Sequence, residues 1–597
     1  MSADPSSAKL TAATAQAAAL YTPTGTQSLK ALFARRLFFG VLNVVTVAVL
    51  GWWLTAILAA DGFTIIDAAL LATFLIYAPW VVVGFWNSTL GVLILHLSRN
   101  PLRSIIPLVE RARADDPIFV GVAVTMTVRN EDAGRAFARL RAIKDSLDAT
   151  GNGDKFAYFV LSDSSRAEVI AAEEAQYHSL QEQLGGNAQF FYRRRGENTG
   201  FKAGNVRDFV ERWGAKYDIM IPLDADSLMT GEAILRLVRI MQANPRLGIL
   251  QSLVVGMPSS SLFARVFQFG MRHAMRSFIA GNAWWHADCG PFWGHNAAVR
   301  IAPFREHCRL PELPGKPPFG GHILSHDQIE AILMRNAGFE VRVLPEEDGS
   351  WEEMPPALPD FVGRDLRWCQ GNLQYFKLID LPRLLTGQFN IAFAIQMFIG
   401  VAAYTLFVVL AALAVAIAKP GAPFPFWSAL LFYLVWFVML FTPKIAGVID
   451  AALRSSKRYG GLSWLLMGAV VETAFTLMLT SITIVGQTMF MTALMLGTTI
   501  TWDGQRRDRY RLTWAEALRV FWPHTVFGLA IFLLLAETNP IAILWFLPFI
   551  AGPLFSIPFA VWTTSPELGA MAQAHRFCGI PEEFDPPPEL AALRKSG

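Results

Sequence analysis

Six long apolar segments constrain this chain more than any other feature of its sequence. Each is close to the roughly 20 residues that a helix needs to cross a bilayer, and none contains Asp, Glu, Lys or Arg. The segments are Leu37 to Ala60, Ala68 to Leu95, Phe389 to Ala418, Phe424 to Pro443, Val520 to Ala536 and Ile541 to Thr564. Because only 17% of the residues are charged and 53% are hydrophobic, we expect a multi-pass membrane protein.

Basic residues beside these segments indicate their orientation, because Lys and Arg gather on the cytoplasmic side of membrane helices. The loop between the first two segments contains Asp61 and Asp67 but no basic residue. The flanking basic residues are Lys30, Arg35, Arg36, Arg99, Arg103, Arg111, Arg113, Lys444, Arg454, Lys457, Arg458, Arg506, Arg507, Arg509, Arg511 and Arg519. We expect residues 1–36, 112–385 and 565–597 on the cytoplasmic side, with the first segment retained as an anchor.

The apolar stretch from Leu462 to Trp502 is harder to place. Both of its flanks are basic, so it crosses the membrane twice or not at all. About 40 residues are barely enough for two crossings and a turn, and Glu472 lies inside the stretch. We expect interfacial or re-entrant helices over 461–515, with a crossing hairpin as the alternative. The remaining membrane helices then form pairs at 37–97, 389–443 and 518–564, which gives six crossings instead of eight.

The central region alternates strand-like and helix-like segments, which predicts a mainly parallel α/β sheet. The predicted strands are Ile118 to Thr127, Phe156 to Leu161, Tyr217 to Leu223 and Leu247 to Val255. The predicted helices are Ala133 to Leu147, Arg166 to Leu184, Lys202 to Trp213 and Gly231 to Gln242. Ligands of such sheets bind beyond the carboxyl ends of the strands.

Carboxylates follow two of these strands. Asp163 comes after the second strand, and Asp224-Ala225-Asp226 comes after the third. Side chains separated by one residue point to the same side of an extended backbone, so Asp224 and Asp226 suit a hard divalent cation. Lys202 precedes a glycine-containing helix start and suits a phosphate. The alternatives are capping carboxylates and a solvated lysine.

Two further places carry residues with catalytic or binding chemistry. Asp327 opens a predicted helix and could accept a proton from a sugar hydroxyl; alternatively it caps that helix, with Glu330 completing a capping box. Arg364, Arg367 and Trp368 lie just before the third apolar segment. Arginine binds phosphate and tryptophan offers an apolar face to a sugar ring, although both residue types also anchor helices at a membrane interface.

Taken together, these motifs occur in the order and approximate spacing of processive family 2 glycosyltransferases, which include cellulose, chitin and hyaluronan synthases. More closely, three sequence motifs resemble the membrane glucosyltransferase H family, which makes osmoregulated periplasmic glucans in proteobacteria. The motifs are Trp293-Gly294-His295-Asn296, Ser325-His326-Asp327 and Arg364 through Asn372. Cellulose synthases usually carry Thr-Glu-Asp and Gln-x-x-Arg-Trp, so His326 and Arg364 favour the glucosyltransferase H family.

The resemblance implies a GT-A type α/β domain, inserted between the membrane helices, that uses UDP-glucose and Mg²⁺ or Mn²⁺. It implies that Asp327 is the catalytic base and that Asp224 and Asp226 hold the metal. The residues implied in nucleotide-sugar binding are Asp163, Asp224, Lys202, Arg364 and Arg367. The residues implied in acceptor binding are Trp368, Trp293, His295 and Asn296.

The resemblance also implies a linear β-1,2-glucan product, made in a bacterial inner membrane. Implied partners are the growing glucan chain, acyl carrier protein and periplasmic glucan-processing proteins. Thr498 to Trp502 lies where related synthases carry a gating loop, with a plain basic loop as the alternative. Rival hypotheses are another processive β-glycan synthase, or a non-catalytic UDP-glucose sensor or scaffold. The near balance of 51 Lys and Arg against 48 Asp and Glu gives no sign of a nucleic-acid partner.

Overall fold

The computed structural model describes residues 27–185, 189–419, 421–498 and 510–596. Its first helices are α1 (Leu29–Leu58), α2 (Ile65–Leu97) and the short α3 (Pro101–Ile105). Helix α1 begins before the predicted apolar segment and therefore includes Arg35 and Arg36. Arg36 reaches back to the central domain, where it donates to the carbonyl oxygen of His286 at 2.7 Å. The start of the first membrane helix is thus fastened to that domain.

Ten strands lie in the described part of the central domain. They are β1 (Val122–Val128), β2 (Phe156–Ser162), β3 (Phe190–Arg194), β4 (Ile219–Asp224), β5 (Ser227–Met229), β6 (Leu247–Ser252), β7 (Val255–Gly256), β8 (Ala297–Arg300), β9 (Glu340–Leu344) and β10 (Ser350–Glu352). Seven form one sheet in the order β3-β2-β1-β4-β8-β6-β9, in which β8 alone runs antiparallel to its neighbours. A second sheet has the order β5-β10-β7. The four predicted strands are confirmed within a few residues, and the other six strands were not predicted.

Helices cover both faces of the large sheet. They are α4 (Ala133–Ala149), α5 (Ala167–Gln183), α6 (Phe201–Arg212), α7 (Gly231–Ala243), α8 (Leu262–His286), α9 (Ile301–His307), α10 (Asp327–Asn336) and α11 (Leu358–Leu373). Val124 and Met126 of β1 belong to the apolar core on one face, and Ala123 belongs to the core on the other. A strand buried on both faces reads as a continuous apolar run, which explains why β1, β2 and β4 were predictable.

The remaining described residues are mainly helical. Their helices are α12 (Leu385–Ile417), α13 (Phe426–Arg454), α14 (Leu462–Met495), α15 (Trp514–Thr538), α16 (Ile543–Leu554), α17 (Ser556–Thr563), α18 (Pro566–Ala574), α19 (Pro581–Phe584) and α20 (Pro588–Ser596). In the described part of the chain, six helices are long and apolar enough to cross a membrane, namely α1, α2 and α12 to α15. Helices α16 and α17 form a further apolar pair, bent by 57°. The last predicted membrane segment is therefore broken, near Pro553, where an interior proline removes a backbone hydrogen bond.

Residues 462–495 form one uninterrupted helix, so the alternative of a crossing hairpin is wrong, and the predicted interfacial or re-entrant helices are replaced over this range by a single helix. By length and composition α14 could cross a membrane once. Its side chains contact the central domain, where Phe269 of α8 packs over Gly468 and Gln487 donates to Asp365 of α11. They also contact apolar helices, since Glu472 pairs with Lys444 of α13 and Thr488 bonds to Thr405 of α12. An interfacial position for α14 stays a prediction.

The segment after the last membrane helix returns to the central domain. We call residues 566–596 the C-terminal strap. Glu583 pairs with the buried Arg265 of α8 at 2.7 Å, and Glu589 accepts a hydrogen bond from Ser146 of α4. Leu590 is buried in the main core of the large sheet. The strap therefore joins the membrane helices to two separate helices of the central domain.

Candidate active site

A cleft of about 890 Å³ opens at the carboxyl ends of β1, β2 and β4. The strand register explains its position, because Thr127 of β1 lies opposite Asp224 and Val128 lies opposite Ser162. Asp163 and Asp224 therefore reach the same cleft from either side of β1, as the rule for parallel sheets predicted. The predicted residues that line the cleft are Asp163, Lys202 and Asp224, together with His326.

Asp163 is held by an arginine that the sequence analysis missed. Arg195 donates to both carboxylate oxygens of Asp163, at 2.7 and 2.6 Å, and both side chains are nearly buried. Arg195 also donates to the carbonyl oxygen of Phe201 at the start of α6. Because Arg195 follows β3, a strand that was not predicted, only the basic run beginning at Arg193 could have signalled it.

Lys202 and Asp224 form an ion pair inside the cleft. Thr127 also donates to the Asp224 carboxylate, at 3.3 Å. Lys202 lies in the first turn of α6, where the chain is tightly folded: a Cβ added at Gly204 would lie 1.9 Å from the carbonyl oxygen of Thr199. The glycine therefore permits the close turn that directs the amine into the cleft.

The turn that carries Asp226 is fixed by the small second sheet. Residue Ser227 pairs with Glu352 across β5 and β10, and the amide of Glu353 donates to the carbonyl oxygen of Asp226 at 3.3 Å. Glu352 is a partly buried carboxylate, 21% exposed, that the sequence analysis missed. Burial raises its pKa, as do the nearby carboxylates of Asp226 and Asp224, whereas His295 lowers it. Three carboxylates thus gather at this turn.

The predicted acceptor residues of the Trp293 to Asn296 motif fall into different environments. His295 lies between the Ser227 hydroxyl, at 3.4 Å, and the Glu352 carboxylate, at 3.5 Å. Asn296 is fully buried, and its amide donates to Ser350 at 2.9 Å. An acceptor sugar cannot reach a side chain that is enclosed in this way. The structure therefore gives Asn296 the role of joining the two sheets, in place of the predicted role in acceptor binding.

Asp327 is the first residue of α10, and His326 is the cap residue. The capping alternative for Asp327 is therefore wrong, and Glu330 bonds to His326 at 3.0 Å instead of completing a capping box. A Cβ atom added to Gly294 would lie 3.4 Å from Asp327 Cβ and 3.5 Å from both His326 Cε1 and Lys202 Nζ. Asp327, the candidate catalytic base, and Lys202, which lines the cleft, therefore both lie beside Gly294.

Helix α11 packs tightly against the loop before Asp327, since a Cβ at Gly371 would lie 2.3 Å from the Ser325 hydroxyl. Arg364 lies over the ring of Trp368 at 4.7 Å, and the Trp368 side chain is 45% exposed. Arg364, Arg367 and Trp368 are not among the residues that line the cleft. Burial raises the pKa of Asp365 to about 6, with Arg364 opposing the shift.

The donor set at Asp224 and Asp226 fits a shared metal. In the ranges that the structure describes, no group of three or more His, Cys, Asp or Glu side chains could hold a metal ion. Mg²⁺ is commonly bound by one or two carboxylates together with substrate phosphates and water. Asp224 lines the cleft and Asp226 is buried two residues later, so together they could share a metal with a substrate phosphate but would not make a closed structural site.

Comparison with known proteins defines the class. A family described as Glycosyl transferase family group 2 matches residues 219–557, and one described as Glycosyl transferase family 2 matches residues 123–308. With the sheet and cleft described above, the chain is a family 2 glycosyltransferase whose GT-A domain lies between apolar membrane helices.

The particular family follows from full-length similarity. Glucans biosynthesis glucosyltransferase H of Cupriavidus pinatubonensis is 36% identical over 588 residues, which cover 94% of this chain and 67% of that protein. Its counterpart in Pseudomonas savastanoi pv. phaseolicola is 34% identical over 601 residues, covering 93% and 69%. This chain belongs to the glucans biosynthesis glucosyltransferase H family.

Among solved structures, the mannosyltransferase PcManGT of Pyrobaculum calidifontis, in complex with GDP-Man and Mn²⁺, aligns with a TM-score of 0.41 and 15% identity. The alignment covers 65% of this chain and 98% of that one. Similarity at this level is too low to support an argument about mechanism. The assignment of the fold depends on the family matches and on the observed strand order.

Proposed function

We propose that the protein polymerises glucose from UDP-glucose into a linear β-1,2-glucan and moves the chain across the bacterial inner membrane. The observation that carries this proposal is the convergence of Asp163, Lys202 and Asp224 in one cleft, with Asp327 at its edge. A sensor or scaffold has no use for a partly exposed carboxylate at that position. The linkage, the donor and a role in osmoregulated periplasmic glucan synthesis are taken from the family.

In the proposed reaction Asp327 accepts the proton of the acceptor hydroxyl as its oxygen attacks the anomeric carbon. The bond from that carbon to the β-phosphate oxygen breaks, and UDP leaves with the electron pair. Attack from the opposite face converts an α-linked donor into a β-linked product. General base catalysis contributes about 10² to 10⁴-fold, so positioning and electrostatic stabilisation must supply the remainder.

The other residues have separate tasks in this proposal. Asp163, fixed by Arg195, binds the uridine, and Lys202 contacts the diphosphate. Asp224 and Asp226 would hold Mg²⁺ or Mn²⁺, which when bound neutralises charge on the leaving diphosphate. Trp368 presents a half-exposed ring on which an acceptor sugar can stack. Acyl carrier protein and periplasmic glucan-processing proteins remain partners that the family suggests.

Product analysis tests the proposal directly. The full chain, purified in detergent, is incubated with radiolabelled UDP-glucose and Mg²⁺, and the polymer is methylated and hydrolysed to identify the linkage. We expect 1,2-linked glucose. A 1,4-linked product would contradict the β-1,2 assignment and would indicate a cellulose-like synthase. UDP-glucose binding without release of UDP would support a sensor or scaffold.

Replacing Asp226 by Asn should reduce glucosyl transfer by about 10²-fold or more, because a carboxylate ligand of the metal is lost. Chelation with EDTA should abolish transfer by the unaltered protein, and added Mg²⁺ should restore it. Added Mg²⁺ should not restore the variant. The matched control is Asp154→Asn, an exposed carboxylate near the start of β2. Transfer that survives both EDTA and D226N would contradict the metal assignment.

Replacing Arg195 by Lys should weaken UDP binding by about tenfold, measured by isothermal titration calorimetry. An arginine holds both oxygens of Asp163 through a planar fork, whereas a lysine supplies only a point charge. The carboxylate is then less firmly oriented toward the nucleotide. Arg212→Lys is the control, because that arginine is mostly exposed. Unchanged affinity in R195K would remove Asp163 and Arg195 from nucleotide binding.

A further inference from the structure

His326 and Glu330 form a pair that the reaction described above does not use. The Nδ1 atom of His326 lies 3.0 Å from a carboxylate oxygen of Glu330, one helical turn later. Both residues are buried, yet His326 lines the cleft together with Lys202 and Asp224. The pair therefore connects the interior of α10 to the donor side of the active site.

The geometry decides which ring nitrogen faces the cleft. A carboxylate accepts hydrogen bonds, so Nδ1 of His326 must carry a proton. Among the described residues, the hydrogen bond that the His326 ring makes involves Nδ1. Nε2 is then the nitrogen that remains for a ligand, and it donates only when the ring is an imidazolium.

Four influences act on the charge of that ring. Burial lowers the pKa of His326, and Lys202 lowers it further, but the carboxylates of Glu330 and Asp327 raise it, and the net direction is upward. The imidazolium is therefore retained to a higher pH than in a free histidine.

We propose that His326 is a catalytic residue that donates a hydrogen bond from Nε2 to the diphosphate of the sugar donor, and that Glu330 is its positioning residue. This inference rests on the proposed function. No proton is transferred by His326: as the bond from the anomeric carbon breaks, the electron pair and negative charge move to the β-phosphate oxygens, and the Nε2–H bond to them strengthens.

A charge argument favours the diphosphate over the acceptor. His326 Cε1 and Lys202 Nζ would each lie 3.5 Å from a Cβ atom added to Gly294, so two cationic groups converge there. Lys202 is balanced by Asp224 and His326 by Glu330. A neutral sugar hydroxyl needs no such pair of cations, whereas a diphosphate that gains charge in the transition state does.

The test compares His326→Gln, His326→Lys and Glu330→Gln in the full chain. We expect H326Q to lower both kcat and UDP affinity by about 10- to 100-fold, the range for one hydrogen bond to a charged group. H326K retains a cation and should keep more UDP affinity than H326Q. The matched control is His178→Gln, an exposed histidine on α5, which should change neither quantity.

The pH dependence of kcat shows whether Glu330 acts by keeping His326 protonated or only stabilises the fold. The imidazolium is present below its pKa and is lost as pH rises through that value. E330Q removes the main cause of the raised pKa, so the basic limb of kcat should move to lower pH. An unmoved basic limb would overturn the role of Glu330. Equal UDP affinity in H326Q, H326K and the unaltered protein would overturn the role of His326.

Failure of this inference is distinguishable from failure of the proposed function. UDP binding by the variants is measured without turnover, so it reports on His326 whatever polymer is made. If the unaltered protein released no UDP from UDP-glucose, the proposed function would fail while the comparison of UDP affinities still held. If it released UDP and the variants matched it in kcat and affinity, only the assignment of His326 and Glu330 would fail.

Discussion

Asp327→Asn is expected to reduce polymer synthesis by about 10² to 10⁴-fold, the usual contribution of a general base. Asparagine has nearly the same shape but cannot accept the acceptor proton at neutral pH. Because Asp327 lies at the edge of the cleft and not among the residues that line it, UDP binding should be almost unchanged. The measurement is glucose incorporation from UDP-glucose, with UDP affinity determined on the same preparation.

Asp380→Asn is the matched control for this substitution, because Asp380 is an exposed carboxylate that follows α11. It should leave synthesis at the level of the unaltered protein. Loss of UDP affinity in D327N in parallel with synthesis would indicate a damaged cleft and would remove the support for a base. Undiminished synthesis in D327N would exclude Asp327 from catalysis altogether.

Arg272→Met should lower the free energy of unfolding by about 3–5 kcal/mol, the cost of leaving buried carboxylates without their cation. Arg272 of α8 is 1% exposed and contacts Glu347 at 2.7 Å, Asp348 at 3.0 Å and Glu582 of the strap at 3.0 Å. Glu347 and Glu582 are themselves nearly buried. The expected result is a markedly lower melting temperature in detergent.

Arg458→Met is the matched control, because Arg458 contacts the same Asp348 but is 42% exposed. Exposed ion pairs contribute about 0–1 kcal/mol, so this variant should melt close to the unaltered protein. Adding Glu582→Gln to R272M should recover part of the loss by removing one uncompensated charge. Equal melting temperatures for R272M and R458M would show that the buried cluster does not stabilise the fold.

Local sequence patterns predicted the parts of the site that lie at strand ends. Strands β1, β2 and β4 are buried on both faces and read as apolar runs, so the carboxylates that follow them could be assigned to one edge. Glu352 could not be found in this way, because it reaches Asp226 through pairing of β5 with β10, which are distant in sequence. Arg195 was missed for a similar reason, since its partner Asp163 lies across the β2–β3 pair.

Two further differences between prediction and structure arise because residue type alone does not show whether a side chain is buried or which way it points. Asn296 belongs to the same motif as His295, but the backbone turns it into the interior, where its amide joins two sheets. Helix α14 is apolar apart from Glu472, as a membrane helix would be, yet its side chains pack on α8 and α11 of the central domain as well as on the apolar helices α12 and α13. Only tertiary contacts separate a helix buried against protein from one surrounded by lipid.

The C-terminal strap has a consequence for how the enzyme matures. Leu590 belongs to the core of a sheet whose first strand begins at Val122, and it is translated after all the long apolar helices that the structure describes. A nascent chain therefore cannot complete the core of its catalytic domain before α1 to α17 have been synthesised. Glucosyl transfer should then begin only in copies whose apolar helices are already made.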